Sequence, residues 1–386
     1  MNPDPSNADA IPSGESQAIA GTRWRRSPSL RNLPNFVEVR VALLDSFMPE
    51  FATFLGGESI DLYLTPWPRR APGPSQYRWP VPSSSKSKTS WFTAIRRAIY
   101  SRWAERKSLV PAQTRLKTSE WLARAYARKL PKNASHLFVS QDLLPFLWRL
   151  GVLDGKTYDV LLTRPPLKEL NKRLDKAAEA APAAISLHEF RAAWPIAEAE
   201  ELALARANRV VTPHADYASL FENVRRLEWE QPQVEPPPEV PVPQYLLLPA
   251  SLEAVEGAYS VIEASRSMEL PLLVIGSDRE GLAGNSDTIQ FITEDEVPWH
   301  EIAAVVHPAL FESTPRLHLK AKSLGLPVVV TEGCGLEEGD GVMVVGYGDS
   351  EGLIRSLERA LGRERINDPL EIVPSETTEI LRELQG

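Results

Sequence analysis

The sequence predicts an α/β protein of two doubly wound domains with a cleft between them, and three observations carry that expectation. Short apolar runs alternate with helical patterns along most of the chain, the rhythm of parallel strands joined by crossover helices. The rhythm stops at Trp229–Pro243, which holds six prolines, and then starts again. A chain of 386 residues also exceeds what one core needs, so two domains are the natural division.

Residues 1–34 are rich in Asn, Pro, Ser and Gly and read as a disordered tail with a basic knot at Arg23, Arg25 and Arg26. The N-terminal domain, residues 35–228, opens with a strand over Val37–Leu44. A helix over Met48–Leu55 follows, and Gly56 and Gly57 turn the chain into a strand over Ile60–Leu64. Residues 66–87 form a Pro/Ser-rich loop whose prolines exclude helix and central strand. The next helix spans Trp91–Leu109, with Trp91, Ile95, Ile99 and Trp103 in one stripe. Such a stripe is more often core than membrane contact. Another helix covers Ser119–Lys129. Strands at His136–Val139 and Val160–Thr163 flank a helix at Leu143–Leu150. A short strand at Ile185–Leu187, a helix at Ile196–Ala207, a strand at Arg209–Thr212 and a helix at Ala215–Phe221 complete the domain.

The proline run at 229–243 is the linker, extended and stiff. The C-terminal domain, residues 244–386, begins with a strand at Tyr245–Leu248 and a helix at Ala254–Arg266, then strands at Leu270–Ile275 and Thr288–Ile292. Its clearest unit is Val305–Thr331: an apolar run, a turn carrying Glu312, a helix over Pro315–Leu324, a Gly-Leu-Pro stop and the buried run Val328–Val330. A strand at Met343–Val345 leads to a helix capped by Asp349 and stopped by Gly362. Thr377–Leu384 reads as a final helix.

Charge is divided unevenly. Leu64–Lys132 carries sixteen Lys/Arg against two acids, a local net of +14, while Pro241–Gly386 carries ten against twenty-five, a net of −15. Opposed segments point to different surfaces with different partners. The single Cys334 excludes internal disulfides and a cysteine metal cluster, and fits a reducing cytoplasm. No run is long enough to span a membrane, so the expected location is the cytoplasm. The inner face of the membrane is within reach of the basic segment, because basic amphipathic helices dock on anionic lipid. Nucleic acid is set aside: no nucleic-acid motif is present and the overall charge is −8. His300, His307 and His318 lack metal-ligand spacing, so no metal is expected. No phosphate loop, nucleophile elbow or dinucleotide fingerprint is present, and no cofactor is expected. His188, followed by Glu189 and Arg191, lies past a predicted strand end, where doubly wound sheets place their sites. An acceptor contact there competes with the commoner case of a loop histidine without a role.

Several segments carry a family resemblance. They are Pro249–Gly257, LLVIG at Leu272–Gly276, HPALFES with LGLPVVVTEG inside His307–Gly333, GDSEGLIRSLERAL at Gly348–Leu361 and, more weakly, ELALARANRVVTPH at Glu201–His214. Together they resemble the two-Rossmann (GT-B) glycosyltransferases, most of all the retaining family-4 enzymes. The resemblance implies a nucleotide-sugar donor as co-substrate, held in the interdomain cleft mainly by the C-terminal domain. The family's first glutamate, which contacts sugar hydroxyls, falls on Glu312. Its second, eight residues on, holds the ribose and is here Lys320. The arginine and lysine that neutralise the diphosphate fall on Ser251 and Glu256. A turn glycine becomes Pro315, the N-domain histidine falls on Arg164, and Asp45-Ser46-Phe47 replaces the first glycine-rich turn.

The replacements have physical weight. Exchanging a cation for an acid about 4–6 Å from a diphosphate, at an effective dielectric near 20, is worth several kcal/mol. Lys320 cannot accept the ribose hydrogen bonds that a carboxylate takes. Arg316, Lys320 and Lys322 on one helix face, or Arg266 or Arg279, offer a relocated phosphate site. Two function classes follow. One is retaining transfer of a sugar to a glycan or lipid-linked acceptor, with Glu312 at the donor and Arg164 and His188 on the acceptor side. The other is a degenerate homologue acting as a binding or scaffold subunit. The residues at Ser251, Glu256, Pro315, Lys320 and Arg164 favour the second.

Overall fold

The computed structural model describes residues 38–362 except 70, 72–73, 108–109 and 235–241. The expected tail at 1–34, the centre of the proline linker and the helix at Thr377–Leu384 lie outside the described residues. The first half contains β1 (Val39–Leu43), α1 (Pro49–Gly56), β2 (Leu62–Thr65), β3 (Lys86–Thr89), α2 (Trp91–Arg106), α3 (Pro111–Ala127), β4 (Ala134–Ser140), α4 (Leu144–Arg149), β5 (Thr157–Leu161), α5 (Leu167–Ala180), α6 (Ser186–Glu189), α7 (Trp194–Ala205), β6 (Arg209–Thr212), α8 (Ala215–Ala218) and β7 (Val224–Arg226). The second half contains β8 (Tyr245–Leu248), α9 (Ala258–Met268), β9 (Leu272–Ile275), β10 (Ile289–Ile292), β11 (Ile302–His307), α10 (Arg316–Ser323), β12 (Val328–Thr331), β13 (Val342–Val345) and α11 (Ser350–Ala360).

Two parallel sheets result, in the orders β3-β2-β1-β4-β5-β6-β7 and β10-β9-β8-β11-β12-β13. This is the doubly wound pair that the alternating pattern predicts. Side chains alternate between two cores on each sheet, as the strand period requires. Val41, Leu137, Val139 and Val160 pack on α3 and α4 through Leu122, Tyr126 and Leu147. On the opposite face Ala42, Phe138 and Leu161 pack on Phe51 and Leu55 of α1. In the second sheet Leu246, Leu248 and Val306 meet α9 and α11, while Leu247, Val305 and Val330 meet Leu319 of α10. Asp349 caps α11 by accepting the Gly352 amide at 2.8 Å. Gly362 follows that helix at φ +63°, the left-handed stop.

Four expectations change. Ile185–Leu187 is not a strand: it leads into α6, because β5 and β6 pair directly and leave no place between them in the sheet. Lys86–Thr89, at the end of the proline loop, is an edge strand paired on β2, the one sheet position that tolerates such neighbours. Helix α5 is additional; Leu167, Leu170, Leu174 and Ala177 form its buried stripe. The stripe on α2 is not core: Trp91, Ile95, Ile99 and Trp103 are all exposed, Ile99 to 64%. Among the described residues no helix is long and apolar enough to cross a membrane.

The strand order reverses between β8 and β11, and at such a point the loops after the two strands part and leave a crevice. Gly257, at φ +76°, closes the loop after β8, and a Cβ there would overlap the Pro308 carbonyl. Gly257→Ala is therefore expected to push the two loops apart and to cost about 1–3 kcal/mol, read as a lower urea midpoint with an unchanged slope. A midpoint equal to wild type would contradict the close approach.

Candidate functional site

The crevice between β8 and β11 collects the buried Glu253 and the half-buried Glu256 and Glu312 around one histidine. His307 ends β11 and is fully buried. Its Nε2 donates to the Glu256 carboxylate at 2.8 Å, and its Nδ1 lies 2.9 Å from Nε2 of His318 on α10. Burial disfavours the imidazolium, but the hydrogen bond and charge of Glu256 outweigh burial and hold the His307 pKa above its ordinary value. Burial, with His307 beside it, drives His318 well below. Glu312 follows in the turn after β11. Its amide donates to the Gly333 carbonyl at 2.9 Å and its carboxylate accepts the Thr314 amide at 2.7 Å. Burial, reinforced by Glu256 and opposed by His307, raises the Glu312 pKa. Burial likewise raises Glu253, against the pull of Arg279.

The cations near this crevice are already paired. Arg279 reaches Glu253 at 3.2 Å and Glu189 of α6 at 2.9 Å. Arg316 forks onto the buried Glu50 of α1 at 2.8 and 2.5 Å. Lys320 stands 4.6 Å over the Trp299 ring. Ser251 accepts the Ser277 amide at 3.3 Å and packs on Gly276. The turn amides of this loop are taken as well. Glu280 accepts from Ala254 at 3.1 Å and from Ser186 at 2.7 Å, and the Ser186 hydroxyl accepts from Val255 at 3.1 Å. Pro315 precedes α10 and supplies no amide hydrogen.

Of the residues singled out in the sequence, the fold brings Glu256 and Glu312 together around His307. It turns Arg316 and Lys320 to separate partners. The other strand-order reversal lies between β1 and β4; Arg164 follows β5, one strand away, and reaches the loop after β4. It is fully buried and fixed by Asp142 at 3.1 Å, Glu200 at 2.9 Å and the Pro165 carbonyl at 3.0 Å. Asp45 accepts both guanidinium nitrogens of Arg97 at 2.7 and 2.9 Å. His188, on α6, contacts the Pro182 carbonyl at 3.2 Å and lines a cavity of about 600 Å³ with Glu189 and Arg191.

The sequence alone assigns no site role to five residues that the fold places here. His307 stood out only as the first letter of a motif and as one of three histidines without metal-ligand spacing. His214 and Tyr217, beyond β6, bind the second half of the chain. The His214 Nε2 contacts the Ser313 carbonyl at 3.2 Å, its ring stacks on Tyr217 at 4.4 Å, and the Tyr217 hydroxyl donates to Gly333 at 2.8 Å. Trp229 donates to the Gly335 carbonyl at 3.0 Å. Gly335 itself, at φ +72°, lies so close to His214 that a Cβ would enter the ring. Cys334 is the fifth, buried below the crevice. Next to these contacts lies a cavity of about 700 Å³ lined by Arg173, Lys176, Leu310, Glu332, Gly333 and Tyr347.

A different surface is formed by α2 and α3. Phe92, Ile95, Ile99, Tyr100, Trp103 and Trp121 line a shallow groove of about 680 Å³. Basic groups edge it: Arg96 stands 4.0 Å over the Trp121 ring and Lys117 meets the Tyr100 hydroxyl at 3.2 Å.

No protein-family model matches the sequence, and no curated protein sequence matches it. Solved structures do. Sucrose-phosphate synthase from Thermosynechococcus elongatus superposes with a TM-score of 0.54 at 12% identity, over 84% of this chain and 90% of that one. HepE from Anabaena, solved with UDP and glucose, gives 0.48 at 13%, over 83% and 89%. WaaG, a glycosyltransferase involved in lipopolysaccharide biosynthesis, gives 0.47 at 15%, over 84% and 90%. At such identities the likeness is one of fold: two parallel-sheet α/β domains in the GT-B glycosyltransferase arrangement.

His214 makes the join between the halves sensitive to acid. Burial lowers its pKa to about 4, partly offset by the Ser313 contact. The native state therefore resists a proton that the unfolded chain accepts from its ordinary value near 6.5. Stability falls as pH drops through that window, by about 3 kcal/mol for this group. His318 has the same sign and His307 the opposite one, so the difference between wild type and His214→Gln isolates the effect. Urea unfolding between pH 7 and pH 4 should show a shallower acid loss in the variant; identical slopes would contradict the assignment.

Proposed function

We propose that this protein is a non-catalytic relative of the two-domain glycosyltransferases, a binding or scaffold subunit in which the donor crevice no longer accepts a diphosphate. The observation that carries the reading is the pairing of charge in the crevice. Arg279 and Arg316 are held by Glu189, Glu253 and Glu50. The amides of Ala254 and Val255 are capped by Glu280 and Ser186. A diphosphate brings about two negative charges and wants cations or amides aimed at its oxygens. Here it would face Glu253, Glu256 and Glu312 and would have to break ion pairs to find a partner.

The alternative is retaining transfer from a nucleotide sugar to a glycan or lipid-linked acceptor. It is favoured by the position of Glu312, in a strand-to-helix turn at the strand-order reversal. In that reading Glu312 holds the sugar, and a cation must be freed for the leaving diphosphate. Calorimetry and thermal shift with UDP, GDP and their sugars separate the two. The proposal expects no heat and no shift at millimolar ligand. Binding that disappears in Glu312→Ala would overturn it and establish the enzyme reading.

The partner of the first half is proposed to be an anionic membrane surface. The exposed Trp91, Phe92, Ile99 and Trp103 lie among basic side chains of α2 and α3, and aromatic side chains beside cations suit a headgroup boundary. Flotation with phosphatidylglycerol vesicles should show binding at low salt, release at high salt and loss in the pair Ile99→Glu, Trp103→Glu. Failure to float at low salt would sink this assignment.

A further inference from the structure

Beneath the crevice three metal-ligating side chains converge that the spacing of histidines alone did not bring together. His307, His318 and Cys334 are all buried, and their donor atoms lie within 4.8 Å of one another. They come from the end of β11, the first turn of α10 and the turn after β12, so the fold of one unit assembles the set. We propose that these residues form a binding site for a late first-row divalent cation, with Zn2+ the natural occupant. Two imidazoles and one thiolate would supply an N2S set with one position open, ligands that suit Zn2+ and exclude Mg2+ and Ca2+.

Three observations support it. The outer nitrogen of His307 is bound by Glu256, which turns the Nδ1 lone pair inward, the carboxylate–histidine arrangement that orients metal ligands. The inner nitrogens of His307 and His318 face each other at 2.9 Å with their ring planes 17° apart, a contact that needs a bridging proton or a cation. In the metal-free chain a proton serves. A tetrahedral Zn2+, at about 2.0–2.1 Å from nitrogen and about 2.3 Å from sulfur, sets the nitrogens roughly 3.3 Å apart. The rings therefore part by a few tenths of an ångström and the thiol moves in. Finally, the 700 Å³ cavity is lined by Ala309 and Leu310, just after His307, and by Thr331–Gly333, just before Cys334, which provides an approach. The site does not depend on the donor reading, and it is measured without nucleotide.

The test uses the untagged full-length chain, stripped with chelator and titrated with Zn2+ against a chromogenic chelator, then with Co2+. The expected result is one equivalent of tight Zn2+ and a thiolate-to-cobalt charge-transfer band in the near ultraviolet. Cys334→Ala should abolish the band and weaken Zn2+ at least 100-fold, as should His318→Leu, which removes a buried polar group and so keeps the helix. Glu256→Gln should weaken it about 10–100-fold. The wild-type band needs no variant, and circular dichroism checks that each variant folds. Absence of stoichiometric Zn2+, a Co2+ spectrum without the thiolate band, or unchanged affinity in folded Cys334→Ala would overturn the proposal.

Discussion

Charge that leaves water must be balanced within the chain, and this constraint shapes both crevices. A buried ion without a partner costs several kcal/mol. Asp45 with Arg97, Arg164 with Asp142 and Glu200, Arg316 with Glu50 and His307 with Glu256 all meet that demand. Each pair sits where a doubly wound sheet opens to a ligand. The same residues therefore stabilise the fold and fill the places from which charge could act on a substrate. Removing one partner strands the other as an uncompensated buried charge.

The frame was legible because β8, β9, β11 and β12 are buried on both faces and spell continuous apolar runs. Elements that fail this condition were hidden. The edge strand Lys86–Thr89 is largely exposed, and its sequence KSKT carries no apolar signal. The 185–187 run is too short for its period to separate strand from helix. Helix α5 did carry its signal, with Leu167, Leu170 and Leu174 at helical spacing.

The candidate site was half legible for a related reason. Glu312 belongs to a local strand-turn-helix pattern, so its position could be read. Its surroundings could not: Glu256 and His307 are 51 residues apart, and Arg316 and Glu50 are 266 apart. Only the strand order makes them neighbours. The α2 stripe shows the converse. Its spacing is genuinely helical, but periodicity reports a face and not what covers it.

The contact between Gly335 and His214 carries a mechanical consequence. The two halves meet there with backbone against ring, and no side-chain volume separates them. Position 335 works as a zero-thickness spacer, and any larger residue would be a wedge driven in beside Tyr217 and Trp229. The width of the interdomain gap is thus gauged by a missing methyl group.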